Sequence, residues 1–104
     1  MYVQTQTHSS TKTQKLRRVA GDWLRSLREK KGLSQKDMAR LVGIEYYSFI
    51  SQIETGRGRV PSCKYVIWAE VLGVPASLLA KKLMKYYDPE TYIILFPAEE
   101  EDEV

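Results

Sequence analysis

The stretch Leu33–Gly56, reading LSQKDMARLVGIEYYSFISQIETG, constrains this chain most, because it encodes two short helices with a turn between them. Ser34 is placed to cap the first helix, since its hydroxyl can accept a free first-turn amide. Gln35 to Val42 then reads as about two helical turns, with Met38, Ala39 and Leu41 apolar. Gly43 stops this helix, because the chain needs positive φ to turn there. Ile44 is expected to plug the turn. Glu45 to Thr55 reads as the second helix, with Phe49, Ile50 and Ile53 on one face. The opposite face carries Tyr47, Ser48, Ser51, Gln52 and Thr55. Those side chains are short, neutral or hydrogen-bonding, whereas a face made only for solvent more often carries Lys and Glu.

Two such helices cannot bury a core unaided, so the flanking chain must supply one. With 104 residues and 43% hydrophobic content, one small domain with tails is expected. The single cysteine, Cys63, leaves no internal disulfide and no cysteine-only metal site, which fits a reducing cytoplasm. It reads as a small packed residue. No run approaches the ~18 apolar residues of a membrane span, and the first residues lack the apolar core of a signal peptide. An enzyme finds no support: there is one histidine, His8, one cysteine, no glycine-rich phosphate loop, and no carboxylate pair beside a base. No cofactor or metal is expected.

The net charge of +3 conceals an asymmetry. All sixteen Lys and Arg lie between Lys12 and Lys85, and the six acids there leave that region at +10. From Asp88 onward there are seven acids and no base. A basic body suits a polyanionic partner.

Around the central unit the chain divides as follows. Residues 1–15 are rich in Thr, Gln and Ser without apolar period and read as a flexible polar arm. Leu16 to Lys31 reads as a long helix, with Leu16, Val19, Ala20, Trp23, Leu24 and Leu27 as its stripe and Arg17, Arg18, Arg25 and Arg28 on the polar side. Gly21-Asp22 offers an alternative start. After the central unit, Gly56-Arg57-Gly58-Arg59 is a loop whose guanidinium groups suit phosphate oxygens. Ser62 to Leu72 forms a helix apolar on almost every side. Pro75 opens a fifth helix to about Lys85, with Leu78, Leu79, Leu83 and Met84 buried. Asp88-Pro89-Glu90 is a helix-start signal, so 88–96 is read as a short helix, although Ile93 and Ile94 would equally suit a strand. The chain therefore comprises an arm (1–15), an all-α domain (16–85), an apolar segment (86–98) and an acidic tail (99–104).

Gln35, Ala39 and Gly43, then Ile50, Ile53, Glu54 and Gly56, resemble the helix-turn-helix of Cro and the phage repressors, the xenobiotic response element family, over about Trp23 to Leu79. The resemblance implies a five-helix repressor-like domain with a short C-terminal extension. It also implies sequence-specific binding of double-stranded DNA by the second helix in the major groove, as a transcriptional regulator, and more specifically a cytoplasmic, nucleoid-associated repressor. Ala39 would be small because the second helix crosses it. The chain departs from the family in carrying twelve residues, Ile44 to Thr55, between the turn glycine and the next, one more than usual. The extra residue falls near Glu45–Tyr47. On this reading Tyr46, Tyr47, Ser48, Ser51 and Gln52 meet base edges, Gln52 pairing with adenine. Gln35, Lys36, Thr55, Arg57 and Arg59 meet the backbone, Gln35 also bracing the reading helix.

Tyr86, Tyr87, Tyr92, Ile93, Leu95 and Phe96 present more apolar surface than such a domain is expected to cover, so a homodimer interface is assigned to them. The alternative is that they fold back on the first helix. A competing function is a protein-interaction module, an antitoxin or coactivator, whose partner docks on this segment and the acidic tail.

Overall fold

The computed structural model describes the backbone over residues 2–98 and side chains over 11–98. The described residues form six α-helices, α1 (Tyr2–Lys30), α2 (Gln35–Val42), α3 (Ser48–Glu54), α4 (Tyr65–Leu72), α5 (Ala76–Tyr87) and α6 (Pro89–Leu95), with a 3-10 turn, Ser62–Lys64, leading into α4. There is no strand among the described residues, so the 88–96 ambiguity resolves to helix. The acidic tail over 99–104 lies outside the described residues.

The segment expected as a flexible arm is helical from Tyr2 and continuous with the rest of α1. No proline or glycine interrupts it before Gly21, and extending an existing helix costs far less than nucleating one. Gly21 is no cap either: it is buried in mid-helix. A Cβ there would lie 2.3 Å from the Glu54 carbonyl oxygen and 2.7 Å from that of Ile53. The glycine thus lets the end of α3 rest on the α1 backbone. Gly56, at φ +86°, makes the reciprocal approach, 2.9 Å from the Arg18 nitrogen by the same construction.

Capping sets α2. Ser34 Oγ accepts from the Asp37 amide at 3.0 Å, and Asp37 Oδ2 accepts from the Ser34 amide at 3.1 Å. The backbone amide and then the hydroxyl of Ser34 hold the Asp37 carboxyl below the usual carboxylate range. Gly43 ends the helix at φ 75°, and Lys64 Nζ donates to the freed Val42 carbonyl at 3.1 Å.

The second helix of the unit is shorter than expected. It starts at Ser48, not Glu45, so the turn before it absorbs the extra residue. Its first bonds are tight ones, Phe49 to the Tyr46 carbonyl at 3.0 Å and Ile50 to that of Tyr47 at 2.9 Å. Tyr46 and Tyr47 are 61% and 50% exposed, so extending the helix backward would bury little.

One core unites the helices: Ala20 and Leu24, Met38 and Val42, Ile50 and Ile53, Val60, Trp68 and Leu72, Leu79 and Leu83. Ala39, 3% exposed, lies in it. Ile44 packs against this core from the turn, as expected. Several residues read as buried are not. Val19, Leu41, Phe49 and Leu78 are between 42% and 49% exposed, and Cys63 is exposed. At Leu41 the buried positions are Met38, Ala39 and Val42, a face that excludes it.

The C-terminal segment divides. Tyr87 and Tyr92 are buried within the protomer, at 5% and 3%, and the Tyr87 hydroxyl accepts from the Val60 amide at 3.2 Å. Burial chiefly pushes the Tyr87 phenol above its ordinary range. Tyr86 is half-buried against the core, and Phe96 packs on Tyr92 with centroids 5.1 Å apart. These residues therefore largely fold back onto the domain. Tyr87 and Tyr92 are core rather than interface surface, because α6 packs on α5 and encloses them. Ile93, Ile94 and Leu95 remain outside.

Candidate nucleic-acid interface

The inner side of α3 carries Ile50, Ile53 and Glu54, all buried. Those positions are three and four apart, one helix face. A buried carboxylate must be matched, and Glu54 takes a forked pair from Arg28 on α1: Nε to Oε2 at 2.7 Å and Nη2 to Oε1 at 3.0 Å. Arg28 Nη1 also donates to the Leu33 carbonyl at 2.6 Å, and Gln35 Nε2 donates to Glu54 Oε1 at 3.1 Å. One acid thus ties α1, the start of α2 and the end of α3 together. Donation to the Glu54 carboxylate raises the Arg28 guanidinium above its usual value. Sequence reasoning placed Arg28 on a solvated side. The signal it missed was Glu54 itself, an acid on the apolar face of an otherwise neutral helix.

The outer side of α3 carries Ser48, Phe49, Gln52 and Thr55, all exposed, with Ser51 partly so. Phe49 belongs to this surface because the stripe of Ile50, Ile53 and Glu54 points away from it. Its ring meets that of Tyr46 edge-on, with centroids 6.4 Å apart. Ile44, Phe49, Gln52, Ile53 and Pro61 line a largely apolar groove of about 520 Å³ beside the helix. The structure therefore leaves Tyr46, Tyr47, Ser48 and Gln52 exposed, joins Tyr46 to Phe49 and Phe49 to Gln52 along the groove, and turns Tyr47 toward Lys36 of α2.

The expected backbone contacts differ in how far they are already engaged. Lys36 Nζ lies 5.3 Å from the Tyr47 ring centroid, linking the start of α2 to the turn. Thr55 donates its hydroxyl proton to the Ser51 carbonyl at 2.9 Å, satisfying the end of α3. Arg59 bonds Asp88 at 3.2 Å and stacks over Tyr87 at 4.6 Å, so it serves the junction of the loop with α5 and α6. Arg57 is exposed, and its amide bonds the Gln52 carbonyl at 2.9 Å, which folds the loop back on α3. Of the two loop arginines, Arg57 is the one directed to solvent.

Comparison with known proteins agrees with this geometry. No curated protein matches the sequence. A helix-turn-helix domain family model matches residues 20–81. Among solved structures, the restriction-modification controller protein C.AhdI from Aeromonas hydrophila is similar, with TM-score 0.54 and 32% identity over 62% of this chain and 96% of that one. No described helix is long and apolar enough to cross a membrane. With a helix-turn-helix at its centre and a match over most of its ordered helices, the chain belongs to the helix-turn-helix domain family, as a Cro/C1-type DNA-binding transcription regulator.

Proposed function

We propose that the protein is a homodimeric repressor that reads double-stranded DNA by laying α3 in the major groove and acts by occupying a promoter in the cytoplasm. The carrying observation is α3 itself: Ile50, Ile53 and Glu54 are fastened inward, while Ser48, Phe49 and Gln52 face out. Gln52 pairs with an adenine edge, the serines donate or accept, and the Tyr46–Phe49 pair meets thymine methyls. Arg57 and Lys36 hold phosphates, with the Gln35 amide beside them. Ile93, Ile94 and Leu95, 46%, 75% and 56% exposed, supply the dimer contact. Two copies related by a two-fold axis then read half-sites one helical turn apart.

Selection of sites from random duplex DNA tests this reading. A defined, two-fold repeated sequence is expected, and recovery of no preferred sequence would overturn it. On the selected site, Gln52→Ala is expected to cost about 1–3 kcal/mol and relax base choice. Arg57→Ala is expected to weaken all sequences alike and to lower the salt slope by about one unit.

The same exposed strip favours a second reading, capture of a protein partner by α6. Ile94→Lys separates the two. Loss of dimer and of DNA affinity together supports the first reading. Retention of both, with loss of a copurifying protein, supports the second.

A further inference from the structure

We propose that the groove between α1 and the Thr55–Arg57 turn is a second phosphate-binding site, seating the sugar–phosphate backbone that flanks the bases α3 reads. The groove has a volume of about 380 Å³ and is lined by Thr11, Gln14, Lys15, Arg18, Thr55, Gly56 and Arg57. Three of these residues are cationic, and none is acidic.

Four other arginines of the chain already face carboxylates: Arg25 with Glu29, Arg28 with Glu54, Arg40 with Asp37 and Arg59 with Asp88. Lys15, Arg18 and Arg57 are exposed, and no ion pair engages them among the described residues. Concentrated, unneutralised cations around one concavity attract a polyanion. The same charges arranged for solubility alone would be interspersed with acids.

Helix geometry gives the groove its length. Thr11, Gln14, Lys15 and Arg18 recur at three and four, so they share one face of α1. From Thr11 to Arg18 is a rise of about 10 Å along the helix at ~1.5 Å per residue. That is the axial rise of about three nucleotides of one strand. The far wall is fixed, because Gly56 abuts the Arg18 main chain and leaves the turn little freedom. The near end is continuous with the reading surface, since Thr55 belongs both to the outer side of α3 and to the groove. A phosphodiester strand leaving the α3 surface past Thr55 therefore meets Arg57, then Arg18 and Lys15. The turns of α1 that carry the groove, residues 11–18, precede the family's matched region 20–81 and would extend the footprint outward from the read bases.

This inference rests on the DNA-binding reading and adds to it a footprint beyond α3. The test is the salt dependence of binding by the full chain, with Lys15→Gln/Arg18→Gln compared against Lys30→Gln/Lys31→Gln. The second pair removes equal charge from the exposed far end of α1. Each lost phosphate contact lowers the slope of log K against log salt by about 0.9. The groove variant is expected to lose about two units of slope per protomer, equally on preferred and unrelated sequences, with base choice unchanged. The control pair is expected to lose much less. Trimming the duplex to the bases under α3 is expected to lower the slope of the wild type but not of the groove variant. Equal slopes for the two variants, or a trimming loss undiminished in the groove variant, would overturn the site. Failure of the wild type to prefer any sequence would instead overturn the reading on which it rests.

Discussion

At its C-terminal end α3 is seated on α1 at main-chain distance, with Gly21 and Gly56 removing the side chains that would separate them and Glu54 gripped by Arg28 and Gln35. At its N-terminal end the same helix is preceded by an extended turn and carries Tyr46, Tyr47 and Phe49, each about half exposed or more. One helix of seven residues thus carries a rigid mount at one end and an open surface at the other. The contrast teaches where each constraint resides. The mount fixes the angle at which the helix leaves the body, and little in the fold dictates which side chains stand at the other end. Specificity can therefore change at Tyr46–Phe49 and Gln52 without cost to the core, while changes at Ile50 and Ile53–Gly56 affect stability and orientation at once.

The largest way to break this contrast is Glu54→Ala, which leaves Arg28 buried with its charge unmatched. It is expected to cost about 3–5 kcal/mol in urea unfolding. Next is Gly21→Ala, whose new methyl would collide with the α3 carbonyls. A loss of about 3 kcal/mol is expected, because backbone on both sides must move. Phe49→Ala tests the open end. Its unfolding free energy is expected to stay within about 0.5 kcal/mol of wild type. Its affinity for the selected DNA is expected to fall by about 1 kcal/mol, as a partly buried ring contact would. If Phe49→Ala were as damaging to folding as Gly21→Ala, the two ends would not differ in the way described.

The smallest effect concerns pH. Asp37 has its folded value depressed by Ser34, so its contribution to α2 is present above the ordinary carboxylate range and is lost as pH falls through the depressed folded value. Asp37→Ala is expected to melt below wild type at neutral pH. Well below the carboxylate range the two are expected to melt together.

Much of this was legible in the residues. The cap at Ser34, the stop at Gly43 and the stripe of Leu24, Ile50 and Ile53 follow from local rules of helix chemistry, and all three are where the sequence puts them. Positions decided by another segment were not legible. Gly21 could equally read as an alternative helix start until the end of α3 lies against it, and Arg28 reads as part of a polar side until Glu54 reaches it. Phe49 passes for core by hydrophobicity, although the spacing of Ile50, Ile53 and Glu54 already turns it outward. The polar stretch before Leu16 has no apolar period of its own, so only its continuity with a strong helix makes it helical. In the site, the outward set of Tyr47, Ser48, Gln52 and Thr55 was readable from polarity. The engagement of Arg59 by Asp88 was not, because those residues are distant in sequence and meet only when α6 folds onto the loop.

The most direct measurement is a double-mutant cycle across the proposed contact, pairing Gln52→Ala with replacement of the recognised adenine by 7-deazaadenine, which lacks the major-groove N7 acceptor. If Gln52 reads that edge, each change alone weakens binding and the two together cost no more than the larger. Losses that simply add, or no loss on either side, would mean that α3 does not lie in the major groove as described.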